Sequence, residues 1–226
     1  LRLKAKIAIA LILGVSISAG LYFEKISRIE IKRFYPPDNR IVFDQFENPL
    51  RWFPGINGER HLWVSLDEIA GTTKKAFIAA EDQRFFDHIG IDPISIVRAL
   101  KENMVQGKIV SGASTLTQQM IRIAYPRNRT YSKKFIEVLR SLRAEGDLSK
   151  EEILEVYLNR VPMGNNLTGV EAASRIYFKK TSRSLSLHEN ALLAALPKAP
   201  GTLNPYGKNK EKLKVRRNWV LKRMYA

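Results

Sequence analysis

Ile7 to Phe23 (IAIALILGVSISAGLYF) is a 17-residue run without a charge, and Arg2, Lys4 and Lys6 precede it. A bilayer core takes about 20 apolar residues, with about 17 at the lower limit, so residues 1–23 are expected to form a transmembrane anchor. The basic flank lies on the amino side, which puts residue 1 in the cytoplasm and everything after Phe23 outside. Ser16-Ile17-Ser18 and Ser18-Ala19-Gly20 also suit signal-peptide cleavage, and either reading leaves the domain extracytoplasmic. With that placement, the net charge of +16 fits anionic lipid headgroups or a phosphorylated substrate better than nucleic acid. Cysteine is absent, which excludes disulfides and thiolate chemistry, and His61, His88 and His188 lack zinc-site spacing.

Residues 24–61 contain Pro36-Pro37, Asn48-Pro49 and Pro54-Gly55, and read as an extended stalk with a short strand or hairpin. From residue 62 the texture is helical. Ser65 and Glu68 form a capping-box pattern expected to open a helix running to about Asp82. Further helices are expected from Pro93, from Thr115 to Ala124 and from Ser132 to Glu145. Ser149 with Glu152, and Ser186 with Glu189, would cap two more, and Glu171 to Phe178 is another. The tail from Lys208 carries eight basic residues against Glu211. Without a βαβ alternation, the expected fold class is mainly α, in a single domain over residues 62–226.

Polar groups interrupt these helical patterns in four places. Glu81 follows the apolar run AFIAA and precedes two phenylalanines, a setting that disfavours the charged carboxylate and makes it a better base near neutral pH; a solvent-facing acid pair is the alternative. Ser114, Gln118 and Gln119 lie where a hydroxyl-rich loop enters a helix, which suits a sugar or anion as well as plain N-capping. Lys133 and Lys134 precede Glu137 by four and three residues and can share its helix face, as a surface ion pair or as a cluster of charge. Lys150 to Asn159 (KEEILEVYLN) reads as mainly structural.

In this order the segments resemble the family 51 glycosyltransferases, the peptidoglycan polymerase domains of class A penicillin-binding proteins and monofunctional transglycosylases. EDxxFxxHxG is matched by Glu81, Asp82, Phe85, His88 and Gly90, and GxSTxTQQ from Gly112 to Gln119. The RKxxE element is Lys133-Lys134-Phe135-Ile136-Glu137, KxxILExYLN runs from Lys150 to Asn159, and GVEAAxxYFxK begins at Gly169. Departures are Lys133 for arginine, Arg122 for the usual lysine, Ile123 for asparagine and Lys179 for glycine; Lys133 keeps a charge but loses a bidentate fork.

The resemblance implies a lysozyme-like helical fold with a small membrane-proximal lobe, expected near residues 104–130. It implies polymerisation of lipid II into β-1,4-linked glycan by inverting displacement of undecaprenyl pyrophosphate. Glu81 would be the general base. Glu137 would sit near the donor pyrophosphate, orienting Lys134 and Arg129 or holding a divalent cation such as Mg or Mn. Arg122, Arg129, Lys133 and Lys134 would supply positive charge, and Ser114, Gln118 and Gln119 would contact sugar or phosphate. Asn159 would contact substrate or tie helices together, and Asp82 and His88 would shape the loop carrying Glu81. The implied partners are lipid II, the growing lipid-linked glycan, inner-membrane lipids, a C-terminal transpeptidase domain and other cell-wall synthesis proteins, with no nucleic acid. An anchored non-enzymatic scaffold holding anionic cell-wall polymer, and a muralytic enzyme of the same fold, are the alternatives. The missing initiator methionine and the end just after RRNWVLKRM fit a fragment of a bifunctional protein.

Overall fold

The computed structural model describes residues 14, 16, 18, 20–35, 39–46, 49–55, 58–108, 112–126, 128 and 130–225. Most of the apolar run expected to form the anchor lies outside the described residues. Helix α1 covers residues 20–27, and among the described residues no helix is long and apolar enough to cross a membrane. Behind α1, a 3-10 turn at Ile31–Phe34 plugs Phe34 into the core. Strands β1 (Arg40–Phe43) and β2 (Pro49–Phe53) then pair antiparallel, with a bulge between Val42 and Phe43. β3 (Arg60–His61) runs parallel to β5 (Leu167–Thr168), whose other edge takes β4 (Pro162–Gly164) antiparallel.

The remainder is helical: α2 (Gly71–Glu81), α3 (Pro93–Gln106), α4 (Leu116–Ala124), α5 (Tyr131–Asp147), α6 (Lys150–Arg160), α7 (Val170–Phe178), α8 (Leu187–Ala195) and α9 (Lys210–Met224). The mainly α expectation is therefore met. The boxes at Ser149/Glu152 and Ser186/Glu189 cap α6 and α8, and Asp92 caps α3 ahead of Pro93. The box at Ser65/Glu68 forms too, but it closes a 3-10 turn, Leu66–Glu68, and α2 starts only at Gly71. Ile69 is extended there and completely buried, so packing of one side chain breaks what the cap alone would have made a single helix.

The core gathers Phe77, Phe85, Leu116, Met120, Ile121, Ile153, Tyr157 and Leu158, with Phe77 and Tyr157 edge-to-face at 6.4 Å. α2 and α8 are also locked by a buried polar contact, Thr73 Oγ1 with Asn190 Oδ1 at 2.6 Å. The basic tail is the larger surprise. It folds as α9, buries Leu213 and Val220, and packs on α8 and α2 beside Glu81.

Candidate active site

The polypeptide leaves α2 at Glu81 and turns over a buried polar scaffold. Asp82, the C-cap residue, accepts the Leu116 N–H at 2.9 Å and faces the His88 Nε2 at 3.0 and 3.2 Å. The Gly90 N–H donates to His88 Nδ1 at 3.1 Å, which assigns the imidazole proton to Nε2 and makes it a donor to Asp82. Thr115 Oγ1 donates to the Gly90 carbonyl at 2.7 Å, and the Lys150 ammonium to the His88 carbonyl at 2.6 Å. Gly90 has φ +88°, and a Cβ there would stand 2.8 Å from the Ser141 carbonyl oxygen, so both conformation and space demand glycine. The end of α2 is thereby pinned to the start of α4.

That pinning sets Glu81 against Gln119, whose side-chain amide donates to Glu81 Oε2 at 2.9 Å. The Tyr157 hydroxyl approaches Gln119 Oε1 at 3.4 Å and orients the amide. Glu81 Oε1 is buried with no hydrogen-bond partner, and the Arg216 Nη2 of α9 is 3.9 Å away. Burial pushes the Glu81 carboxyl above its ordinary range; the Gln119 hydrogen bond and the charges of Arg216, Lys198 and Arg223 pull it partly back.

α5 carries the second acid. Glu137 Oε1 accepts from the Lys134 ammonium at 2.5 Å and Oε2 from Arg122 Nε at 3.2 Å. Lys134 also reaches Ser114 Oγ at 3.2 Å and Gln118 Oε1 at 3.3 Å, tying α5 to the mouth of α4. Both acids line one cleft of about 1040 Å³, together with Ser114, Gln119, Arg122, Lys133, Lys134, Lys198, Arg216, Trp219 and Arg223. Among the described residues its lining holds eight basic side chains against these two carboxylates, so it attracts anions. Among the described residues no group of three or more His, Cys, Asp or Glu assembles. Both Glu137 oxygens are already engaged by side-chain cations, so this arrangement does not fit a divalent cation.

The family model described as Transglycosylase matches residues 47–225. The chain belongs to the transglycosylase family. It is 42% identical over 195 residues to penicillin-binding protein 1A of Aquifex aeolicus, covering 86% of this chain and 26% of that protein. It is 45% identical over 167 residues to penicillin-binding protein 1A of Escherichia coli, covering 74% of this chain and 20% of that one. The chain thus spans about a quarter of the length of these relatives.

Within this cleft the structure assembles Glu81, Glu137, Ser114, Gln119, Arg122, Lys133 and Lys134. Arg129 lies outside the described residues. Gln118 is buried and spent on the capping box of α4, where Thr115, not Ser114, is the N-cap. Asn159 sits away from the cleft lining: it donates to the Val64 and Glu155 carbonyls at 2.8 and 3.0 Å and accepts the Val64 N–H at 3.0 Å. It ties α6 to the segment before α2. The residues that sequence reasoning missed are Lys198, Arg216, Trp219 and Arg223. Arg216, Trp219 and Arg223 lie in the basic segment RRNWVLKRM, whereas no local pattern marks Lys198.

Proposed function

We propose that this domain is a peptidoglycan glycosyltransferase that polymerises lipid II into β-1,4-linked glycan by inverting displacement of undecaprenyl pyrophosphate. The observation that carries the reading is one cleft holding a desolvated carboxylate with a free oxygen, Glu81, beside a cation cluster gathered on a second carboxylate, Glu137. Glu81 Oε1 takes the proton from the acceptor 4-hydroxyl as its oxygen attacks the donor anomeric carbon. The bond from that carbon to the pyrophosphate oxygen breaks in the same displacement. Arg122, Lys133 and Lys134 neutralise the leaving group, so no general acid is needed. Ser114 and Gln119 line the path between these poles.

The lipid tail calls for a membrane-facing surface. Ile94, Val97, Leu100, Met104 and Val105 all stand exposed on α3, and Phe86 and Ile89 stand exposed just before it. We place the membrane-proximal lobe on this face and the loop after it. α4, although inside the 104–130 expectation, buries Leu116, Met120 and Ile121 in the core. A single-pass anchor in the cytoplasmic membrane, the domain outside it and a following transpeptidase domain belong to the same proposal.

The test is conversion of labelled lipid II to polymer in detergent or vesicles, beside Glu81→Gln and Glu137→Gln. Polymer from the parent and a loss of at least about a thousandfold in Glu81→Gln is the expected result. A parent that is folded and yields no polymer defeats the reading, and Glu81→Gln working at the parent rate removes Glu81 as base.

A further inference from the structure

α9 brings a guanidinium towards the base without bonding to it. Arg216 Nη2 is 3.9 Å from Glu81 Oε1, too long for a hydrogen bond and close enough for strong attraction in a desolvated site. The guanidinium is held there by Trp219: the Arg216 Cζ lies 3.7 Å from the ring centroid, with Arg223 on the same indole at 4.6 Å. The Nε atoms of both arginines are buried with no hydrogen-bond partner. Two like charges on one ring repel, so the stack needs the nearby carboxylate as much as the carboxylate needs the stack.

We propose that Arg216, seated on Trp219, is a positioning residue that keeps Glu81 ionised and aimed into the cleft while leaving its proton-accepting oxygen free. The inference rests on the reading of Glu81 as the base. An ion pair at hydrogen-bond distance would occupy Oε1 and compete with the acceptor hydroxyl, as Lys134 and Arg122 occupy both oxygens of Glu137. At 3.9 Å the charge acts and the lone pair stays open.

Among the described residues, few charged and titratable groups face Glu81. α4 presents neutral Gln119, α6 the Tyr157 phenol, the turn after α8 Lys198, and α9 Arg216 and Arg223, while Arg122 of α4 is turned to Glu137. Asp82, next in sequence, is turned to His88 and Leu116. Arg216 heads the cations that hold the Glu81 carboxyl down against burial. Without it the carboxyl keeps its proton to higher pH.

The experiment uses Arg216→Gln and Arg216→Lys in the full chain. With lipid II as substrate, Arg216→Gln should move the acidic limb of kcat/KM up by about one pH unit, and Arg216→Lys should return most of it. A loss uniform across pH, or a raised KM with the limb unmoved, overturns the proposal. A second readout needs no turnover: carbon NMR titration of the Glu81 carboxyl, assigned by its absence in Glu81→Gln, should show the same upward movement. An unmoved titration overturns the inference even where the parent polymerises. A moved titration in a chain that makes no polymer upholds Arg216 as the residue setting Glu81 and defeats the polymerase reading instead. If Arg216→Gln does not fold, Trp219→Leu frees the guanidinium from its seat and should move the titration in the same direction; no movement there overturns the proposal.

Discussion

Removing the Asp82 carboxylate tests the scaffold beneath Glu81. Asp82 is 7% exposed and satisfies two buried donors, the Leu116 N–H at 2.9 Å and the His88 Nε2–H at 3.0 Å. Asp82→Ala strands both. Each unsatisfied buried donor costs about 1–3 kcal/mol, so the domain should lose about 4 kcal/mol. Asp82→Asn keeps one acceptor oxygen but turns an amide donor towards a donor. Relief requires His88 to move its proton to Nδ1, which would break the Gly90 contact at 3.1 Å, so its cost is about 2 kcal/mol. Urea unfolding in detergent at constant m-value measures both. If Asp82→Ala and Asp82→Asn both stay within about 1 kcal/mol of the parent, the carboxylate is not what satisfies these donors. If Asp82→Ala is stable yet inactive, Asp82 acts in the chemistry and the scaffold argument is wrong.

Glu81 itself should be a stability cost. Its folded carboxyl holds a proton to higher pH than the unfolded chain does, so stability falls as pH rises from about 4.5 through the raised value. Glu81→Gln should therefore be more stable than the parent at pH 7.5 and equal to it at pH 4, read from urea midpoints; an equal gap at both pH values counts against the burial argument. Lys179 ends α7 with φ +59°, the left-handed position where the resembling motif carries glycine. Lys179→Gly should raise stability by about 1 kcal/mol in the same assay, and a loss would contradict it. Burial raises the Glu189 carboxyl, but Lys180 and Ser186 outweigh it and hold it at about 2. Glu189→Gln should cost about 2 kcal/mol at neutral pH, and the gap should close as pH falls from about 4.5 to about 2.

Much of this site was legible because it is local. The box at Ser149/Glu152 and the i, i+3 pair Lys134–Glu137 are set within one turn of helix, and the structure shows both. Gln118 was expected to contact sugar or phosphate; in the structure its side-chain oxygen closes a Thr-x-x-Gln capping box by accepting the Thr115 N–H at 3.2 Å, and Lys134 reaches the same oxygen. Asn159 offered no local clue, since its partners at Val64 are reached only through the tertiary fold. α9 was hidden for the same reason. Its mean character is polar, and its contribution to the cleft depends on docking against α8 and α2, which no window of sequence displays.

The two glutamates of the cleft differ in the source of their cations, and under the proposed mechanism that difference suits them to different roles. Glu137 draws Lys134 from its own helix and Arg122 from the neighbouring one, at distances that fill both oxygens. In the proposed mechanism it gathers positive charge for a pyrophosphate, on side chains that are 40–47% exposed. Glu81 receives one neutral hydrogen bond, and Arg216, first among the cations acting on it, is held 3.9 Å away by a remote helix. A base needs an open lone pair in a dry place, and a close cation would abolish the first while relieving the need for the second. Exchanging the two environments would therefore abolish both proposed roles: a Glu81 bonded at 2.5 Å to a lysine would have its acceptor oxygen occupied, and an unpaired Glu137 would repel a phosphate.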